Sequence, residues 1–421
     1  MKELLSLTRP ELEQQRAALR EVYEGYKARG LKLDMSRGKP SPEQLDLSMD
    51  LLKITAYKGE NGMDARNYGG LEGIPEARRF FGEMLGTKPG EVIVGGNSSL
   101  NMMYTMVELG WRLGFPDSPA PWRTEEKPKF LCPAPGYDRH FRVTEYFGFD
   151  LVTVPMTPHG PDMEQVEALV KDPAVKGIWC VPLYSNPDGY SYDDDTVRRL
   201  ARMQTGAPDF RIFWDNAYCV HHLTDTPDTV LNILDECRAA GTEMRPLLFC
   251  SLSKVTFSGA GVAAMAACEA NVAYIVKNLF SSIISFDKMN QLRHVVFLKN
   301  MDGVAAHMKK HRAIIAPKFA LVERIFDEEL TGLAYWTKPN GGYFISLYVE
   351  SGCAKRTVQL CKEAGVVLTG AGAAYPYGVD PADTNIRIAP TYPPLDELET
   401  ATRLLCVCAK LATIEKLCQI G

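Results

Sequence analysis

The chain has 421 residues, a length that suggests roughly two domains rather than a single core. Its composition, with 46% hydrophobic and 24% charged residues, is that of an ordinary soluble globular protein. The net charge of −5, without a basic patch or arm, argues against nucleic acid as a partner, and no apolar run is long enough to span a membrane.

Taken in chain order, the elements begin with a helix over residues 7–30, which Thr8 can cap and Gly30 can end. The N-terminus is charged throughout and lacks the apolar core of a signal peptide. An irregular segment rich in glycine, proline and serine follows at 33–48, and a helix begins at about Pro75. Beyond it, apolar runs alternate with helical segments. This alternation predicts an α/β fold with a mostly parallel central sheet and helices on both faces.

A long helical region from about Met289 to Glu329 then leads to a smaller α+β part with a final helix from about Leu395 to Leu417. We therefore predict three ranges: 1–50 as an N-terminal helix and arm that joins the small domain, 51–300 as the large domain, and 301–421 as the small C-terminal domain. The eleven cysteines include no CxxC pair, so the sequence predicts neither a metal site nor a disulfide framework, and we expect a cytoplasmic protein.

One lysine stands out in the stretch LLFCSLSKVTFSGAGVAAMAAC, residues 247–268. Lys254 is the only ionisable group between two apolar runs, and small residues and hydroxyls surround it. Because burial disfavours the charged form of an amine, we expect a lowered pKa for Lys254. A neutral amine is what formation of an imine with an aldehyde requires. The alternative is a lysine that extends from a strand end to solvent.

Polar residues follow several of the predicted buried strands. Asp215 ends FRIFWD, and a carboxylate at the mouth of a buried strand needs a partner, either a cationic ring nitrogen or a structural arginine. Tyr218 could reach the same pocket or be a core aromatic. Asn186 sits in an Asn-Pro dipeptide, which is also an ordinary turn signal. In a parallel sheet these strand ends share one edge, where ligands bind.

Another group of residues is suited to anions and aromatic rings. Asn97, Ser98 and Ser99 follow a Gly-Gly turn and precede a helix, and amide groups at a helix N-terminus bind phosphate, although such a turn can also be an ordinary tight connection. Tyr137 could stack on a ring or be a loop aromatic. Arg387, in the apolar strand NIRIAP, needs an anion, which is either a ligand carboxylate or an internal salt bridge. Together with the lysine and the strand-end residues, these groups match the needs of pyridoxal phosphate plus an amino acid.

In order and spacing, these motifs resemble those of the fold type I, class I aminotransferases, which depend on pyridoxal 5′-phosphate. The stretches NYGGLEGIPEAR, NPDG, DNAY, SLSK and PNGGYF are similar to motifs of that family, and the resemblance covers nearly the whole chain. It implies a large cofactor-binding domain with a mostly parallel sheet and a smaller α+β domain. It also implies a homodimer with shared active sites.

The resemblance implies that the catalytic residues are Lys254, Asp215 and Tyr218. The candidate cofactor-binding residues are Lys254, Asp215, Tyr218, Asn186, Tyr137, Asn97, Ser98, Ser99, Ser251, Ser253 and Tyr68. Of these, Tyr68 would act in the partner subunit's site. The candidate substrate-binding residues are Arg387, which would hold the α-carboxylate, Gly38 and Asn186.

The stretches SRGKPSPEQLDLS, PGYDRHF and SKVTFSGAG narrow the resemblance to the divergent aspartate aminotransferase subgroup related to aminotransferase-like regulators. It implies that the partners are a small amino acid and a 2-oxo acid, with L-aspartate and 2-oxoglutarate converted to oxaloacetate and L-glutamate. The alternatives are another amino-acid aminotransferase, a β-lyase with the same cofactor, or a non-catalytic effector-sensing domain.

Two details stay open at this point. The family's phosphate-binding arginine is missing near Gly261, so the phosphate must rely on the serines and Asn97, on Tyr68, or on a basic residue from elsewhere. A dicarboxylic substrate also needs a second cation. The candidates for this cation are Arg37, Lys39, Arg139 and Arg293.

Overall fold

The computed structural model describes residues 7–420. Its strands in chain order are β1 (Leu33–Asp34), β2 (Val92–Val94), β3 (Lys129–Ala134), β4 (Asp150–Thr157), β5 (Gly160–Pro161), β6 (Val175–Cys180), β7 (Arg211–Asp215), β8 (Pro246–Ser251), β9 (Ala263–Ala266), β10 (Tyr335–Trp336), β11 (Ile345–Tyr348), β12 (Val366–Val367) and β13 (Asn385–Ile388). Its α-helices are Arg9–Ala28, Pro42–Asp46, Pro75–Leu85, Ser99–Arg112, Asp138–Tyr146, Met163–Leu169, Asp194–Arg202, Ile233–Ala240, Glu269–Leu279, Lys288–Leu298, Met301–Glu329, Ala354–Glu363 and Leu395–Ile420.

Eight strands form the central sheet, in the order β2-β9-β8-β7-β6-β3-β4-β5. The pairs from β8 across to β4 are parallel, whereas β9 is antiparallel to both of its neighbours and β5 is antiparallel to β4. Helices cover both faces, so alternate strand residues enter different cores: in β7, Ile212 and Trp214 belong to one core and Phe213 to the other. The predicted α/β fold with a mostly parallel sheet is confirmed.

A third core lies around the small antiparallel sheet β10-β11-β13. Tyr23 and Met35 from the N-terminal segment are fully buried in it, and β1 pairs in parallel with β12. The N-terminal segment therefore packs with the C-terminal part of the chain. The division of the chain at residues 50 and 300 stays a prediction. Residues 1–6 of the first predicted range and residue 421 of the last lie outside the described residues.

The structure changes several predicted boundaries. The first helix spans Arg9–Ala28, with Thr8 as its N-cap, and the helix expected at Pro75 begins there. The segment 33–48 is not wholly irregular, because it contains β1 and the helix Pro42–Asp46. The long region predicted from Met289 to Glu329 is two helices. Lys299 has a φ of 68°, which interrupts the helix, and the Asn300 side chain caps the next one by accepting the N–H of Gly303 at 3.0 Å.

The strand directions bring distant loops together. Because β9 is antiparallel to both β2 and β8, β2 points in the same direction as β8 and as the parallel strands beyond it. The residues after β2, β3, β6, β7 and β8 therefore meet at one edge of the sheet. Within residues 7–420, no helix is long and apolar enough to cross a membrane.

Candidate active site

A cavity of about 360 Å³ opens at this edge of the sheet, and both the N-terminal segment and β13 contribute to its wall. The volume is within the range of about 300–1,000 Å³ that is usual for small-molecule sites. The predicted site residues that line the cavity are Gly38, Ser98, Ser99, Tyr137, Asn186, Asp215, Tyr218, Ser251, Ser253, Lys254 and Arg387. Sequence reasoning therefore selected residues that the fold brings together from both sheets.

Two predicted residues do not line this cavity. The Asn97 amide donates to the Gly259 carbonyl at 3.0 Å, and the Asn97 carbonyl accepts the Ser253 hydroxyl at 3.1 Å. Asn97 therefore stabilises the turn after Lys254. Tyr68 is 77% exposed on a loop that precedes the helix Pro75–Leu85, and its contribution to a partner subunit's site stays a prediction.

Lys254 lies in the turn between β8 and β9, with its Nζ 5.0 Å from the centroid of the Tyr218 ring. Burial lowers the pKa of Lys254, and the Asp215 carboxylate counteracts part of that effect. A lowered pKa increases the fraction of neutral amine, which is the nucleophilic form. The backbone is held too, because the Tyr343 hydroxyl donates to the Lys254 carbonyl at 3.4 Å. The expected direction of the pKa shift is confirmed.

Asp215 ends β7 and is 3% exposed. Its Oδ2 lies 3.0 Å from Nε2 of His140, whose ring stacks on Trp179 with 4.5 Å between the centroids. Its Oδ1 is buried and has no hydrogen-bond partner. Because an unsatisfied buried carboxylate oxygen is costly, this oxygen is available to accept a hydrogen bond from a ligand in the cavity. A protonated ring nitrogen can donate such a hydrogen bond.

The Asn186 turn is anchored by a buried acid that sequence reasoning did not select. The Tyr348 hydroxyl donates to Oδ1 of Asp188 at 2.6 Å, which fixes the turn against β11. Burial raises the pKa of Asp188 to about 6, although the hydrogen bond from Tyr348 opposes this shift. Asn186 is 3% exposed, and its Oδ1 lies 3.4 Å from Nη1 of Arg387. The turn thus links the cavity, which Asn186 lines, to strand β11 of the small sheet.

Arg387 extends from β13 into the cavity, and only 10% of its side chain is exposed. Its Nη1 donates to Oδ1 of Asp138 at 2.9 Å, and its Nη2 donates to the Thr369 hydroxyl at 3.3 Å. Its Nε is buried without a partner. The guanidinium carbon lies 5.1 Å from the centroid of the Phe344 ring. The arginine is therefore held in place but keeps donor capacity for an anion.

Uncharged polar groups also line the cavity. Ser98 caps the helix Ser99–Arg112 by accepting the N–H of Asn101 at 3.3 Å, and the first amides of a helix have no intrahelical partner. Ser251 and Ser253 line the cavity too, although the Ser253 hydroxyl donates to the Asn97 carbonyl. A Cβ at Gly261 would lie 3.1 Å from the backbone of Ser253, so a side chain there would require the neighbouring backbone to shift by a few tenths of an ångström.

The cavity wall has more positive than negative side chains. Its basic side chains are Arg37, Lys39, Arg139, Lys254 and Arg387, and its carboxylates are Asp138 and Asp215. Such an excess favours ligands that carry several negative charges. The remaining candidate, Arg293, does not line the cavity, because its Nε donates to the Ile54 carbonyl at 3.3 Å. Among the described residues, no group of His, Cys, Asp and Glu side chains is arranged to hold a metal ion.

Besides Asp188, sequence reasoning missed three residues that contact the predicted site residues. His140 contacts Asp215, Asp138 contacts Arg387, and Phe344 lies between the Arg387 guanidinium and Gly38. One helix start carries Tyr137, Asp138 and His140. The sequence could have pointed to Asp138 and His140 because they are polar residues that follow a buried strand. The sequence pattern does not show which residues Asp138 and His140 contact.

Comparisons with known proteins agree with this geometry. The family model described as aspartate amino-transferase matches residues 7–420. A protein of Mycolicibacterium smegmatis, whose name gives an aminotransferase and no substrate, is 50% identical over 98% of both chains. The aspartate aminotransferase of Corynebacterium glutamicum is 46% identical over 94% of this chain and 93% of its own. A crystal structure of an aspartate transaminase from Corynebacterium glutamicum covers 98% of this chain and 99% of its own, with 44% identity and a TM-score of 0.96.

Proposed function

Because this chain belongs to the aspartate aminotransferase family, whose members are aminotransferases, we propose that it uses pyridoxal 5′-phosphate to move an amino group between L-aspartate and 2-oxoglutarate, giving oxaloacetate and L-glutamate. The observation that carries the proposal is the cavity that joins a buried lysine, a buried carboxylate with one free oxygen, and an arginine with spare donors. These three groups are what an amino acid and a pyridine aldehyde require.

The residues of the cavity fit this cofactor. The unpartnered Oδ1 of Asp215 is an acceptor for a protonated pyridine nitrogen, and the Tyr137 ring is at hand for stacking. The helix start at Ser99 with Ser251 and Ser253 would receive the phosphate. When bound, pyridoxal phosphate supplies a conjugated ring that takes up electrons from the substrate α-carbon.

Each catalytic residue then has one task. Lys254 would hold the cofactor between turnovers and carry the proton between the substrate α-carbon and C4′ of the cofactor. Asp215 would keep the proton on the ring nitrogen, and the contact from His140 orients its carboxylate. Tyr218 and Asn186 would bond to the phenolic oxygen. Burial raises the pKa of Tyr218 well above its ordinary value, so this hydroxyl stays a donor at neutral pH.

A dicarboxylic substrate fits the charge of the wall. Arg387 would bind the α-carboxylate, beside Asn186 and the close approach at Gly38. Arg37, Lys39 and Arg139 line the wall and could bind the side-chain carboxylate. The ammonium group of Lys39 already lies 3.9 Å from the centroid of the Tyr392 ring.

The proposal extends to a homodimer. Tyr68 is highly exposed and follows the carbonyl of Asn67, which accepts the ammonium group of the buried Lys288 at 2.6 Å. This contact holds the loop of residues 67–68 against its own subunit. From there, Tyr68 would reach the phosphate bound in the partner subunit's site. The eleven cysteines are all free and mostly buried, which agrees with the cytoplasmic location that we propose.

The proposal is tested by adding L-aspartate to the protein loaded with pyridoxal phosphate. We expect a change in the visible absorption spectrum and, with 2-oxoglutarate present, formation of L-glutamate. A wild-type preference for apolar or aromatic donors would refute the aspartate specificity. Release of pyruvate without a 2-oxo acid would indicate a β-lyase, and cofactor binding without any turnover would indicate a sensing domain.

Alanine variants identify the second cation. We expect that replacing one of Arg37, Lys39 and Arg139 lowers kcat/KM for aspartate by about thirty- to several-thousandfold, because an unpaired buried carboxylate costs roughly 2–5 kcal/mol. The same variant should leave alanine as a donor nearly unchanged, whereas Arg387→Ala should impair both donors. Arg293→Ala is the matched control, since that side chain bonds to a backbone carbonyl outside the cavity.

A further inference from the structure

The arginine proposed for the α-carboxylate already has a carboxylate partner within the chain. Nη1 of Arg387 donates to Oδ1 of Asp138 at 2.9 Å, and the two residues are 249 positions apart in sequence. Asp138 lines the cavity as the first residue of the helix Asp138–Tyr146. This ion pair therefore lies at the cavity and joins the start of the helix Asp138–Tyr146 to β13.

The hydrogen bonds of Arg387 show which of its N–H groups are already occupied before a ligand binds. A carboxylate that binds end-on takes one N–H from each terminal nitrogen. Nη1 is occupied by Asp138 and, at 3.4 Å, by Oδ1 of Asn186, while Nη2 has only the Thr369 hydroxyl at 3.3 Å and Nε has no partner. The Asp138 carboxylate thus occupies a donor that an end-on substrate carboxylate would use.

The two partners differ in their freedom to move. The Arg387 side chain is 10% exposed and is held by Thr369, Asn186 and the Phe344 ring, whereas the Asp138 side chain is 33% exposed. Asp138 can therefore turn towards solvent while the arginine stays in place. Leaving a buried arginine without any anion would be costly, and Asp138 removes that cost when no substrate is present.

From these observations, and resting on the function proposed above, we infer that Asp138 is an internal counterion that the α-carboxylate of the substrate displaces. Every amino-acid and 2-oxo-acid substrate carries this carboxylate, so Asp138 weakens the binding of all of them by a similar factor. Asp138 therefore raises KM for every substrate and does not discriminate between substrates with different side chains. Such uniform competition changes KM and leaves kcat nearly constant.

The test compares Asp138→Asn with wild type as holoenzymes. We expect KM to fall about five- to tenfold for aspartate, alanine and 2-oxoglutarate alike, with kcat within about twofold, because a partly exposed ion pair is worth about 1 kcal/mol. The dissociation constant of succinate, measured by calorimetry, should fall by the same factor. Asp138→Glu should restore a KM close to that of wild type, since the longer carboxylate still reaches the guanidinium.

Glu145→Gln is the matched control. Glu145 lies on the same helix and pairs with Arg142 at 2.9 Å on the surface, so its loss changes the net charge equally without touching the cavity. An unchanged or raised KM in Asp138→Asn would overturn the inference, as would an equal fall in KM in Glu145→Gln. If wild type shows no transamination but succinate still binds more tightly to Asp138→Asn, the proposed function fails and the displaced counterion stands.

Discussion

Gly38 offers a quantitative test of how the N-terminal segment supports the site. A Cβ at this position would lie 2.8 Å from Cε1 and 3.2 Å from Cε2 of the Phe344 ring, and closer still to Cζ. Carbon atoms in contact are normally about 3.5–4.0 Å apart, so the ring or the segment must move by about 1 Å. Gly38 does not have a left-handed backbone, so the contact alone determines the effect of an added methyl group.

The Phe344 ring has little freedom to yield. It is 6% exposed, packs in a cluster with Tyr218 and Tyr343, and has the Arg387 guanidinium on one face. Overpacking of this kind costs about 1–3 kcal/mol. Because the ring contacts Arg387, its displacement also moves the proposed carboxylate site, and a misplacement of about 1 Å can cost on the order of a hundredfold in rate.

For Gly38→Ala we therefore expect kcat/KM to fall about 10- to 100-fold and the free energy of unfolding to fall by about 1–3 kcal/mol. The assays are steady-state kinetics with aspartate and alanine, and urea unfolding of the same preparations. Gly25→Ala is the control, because nothing lies within 4 Å of a Cβ at that helical position and alanine there should stabilise the helix by up to about 1 kcal/mol. A Gly38→Ala protein with kcat/KM within about twofold of wild type and unchanged stability would refute the packing argument.

The remaining predictions concern the proposed catalytic residues Lys254 and Asp215 and the buried His311. Lys254→Ala should abolish turnover yet keep the cofactor, because the proposed contacts to its ring and phosphate do not involve this side chain. Borohydride reduction and peptide mapping of wild type should label Lys254, and a label on another lysine would disprove the assignment. Asp215→Ala should lower kcat about a thousandfold or more, or about 4 kcal/mol, whereas a loss within about tenfold would make the carboxylate structural. Burial lowers the pKa of His311 to about 4, so its contribution to stability is complete above about pH 6.5 and is lost as the pH falls towards 4, by up to about 3 kcal/mol. Urea unfolding at pH 7.5 and 4.5 should show a smaller acid loss in His311→Gln than in wild type or in a variant of the exposed His159, and an equal loss in all three would contradict this reasoning.

Much of the fold was predictable because it follows from local patterns. The alternation of apolar runs with helical segments predicts strands that are buried on both faces, and the structure has such strands at β6, β7 and β8. The boundary errors have local causes as well. The interruption at Lys299 depends on one residue with a positive φ, and neither lysine nor the apolar periodicity around it marks that conformation.

The amino-acid sequence by itself determined which chemical groups are candidates for a functional site. It singled out Lys254, Asp215 and Asn186 near strand ends and Arg387 within a strand, because a polar group in a buried strand or beside one needs a partner or a ligand. The family resemblance then implied which of these groups bind a ligand. It also showed that the phosphate-binding arginine of related enzymes is missing near Gly261. The first of these inferences needs only each residue and its neighbours, whereas the second rests on the family resemblance.

Only the tertiary structure determined which groups meet. In all three contacts, of Arg387 with Asp138, of Asp215 with His140 and of Gly38 with Phe344, the two residues are far apart in the chain. Helical and strand periodicities report which face of an element is buried, but not the rotation and distance at which two elements pack. Those quantities depend on the volumes of all side chains in the core, and they place Asp138, rather than solvent, against the arginine.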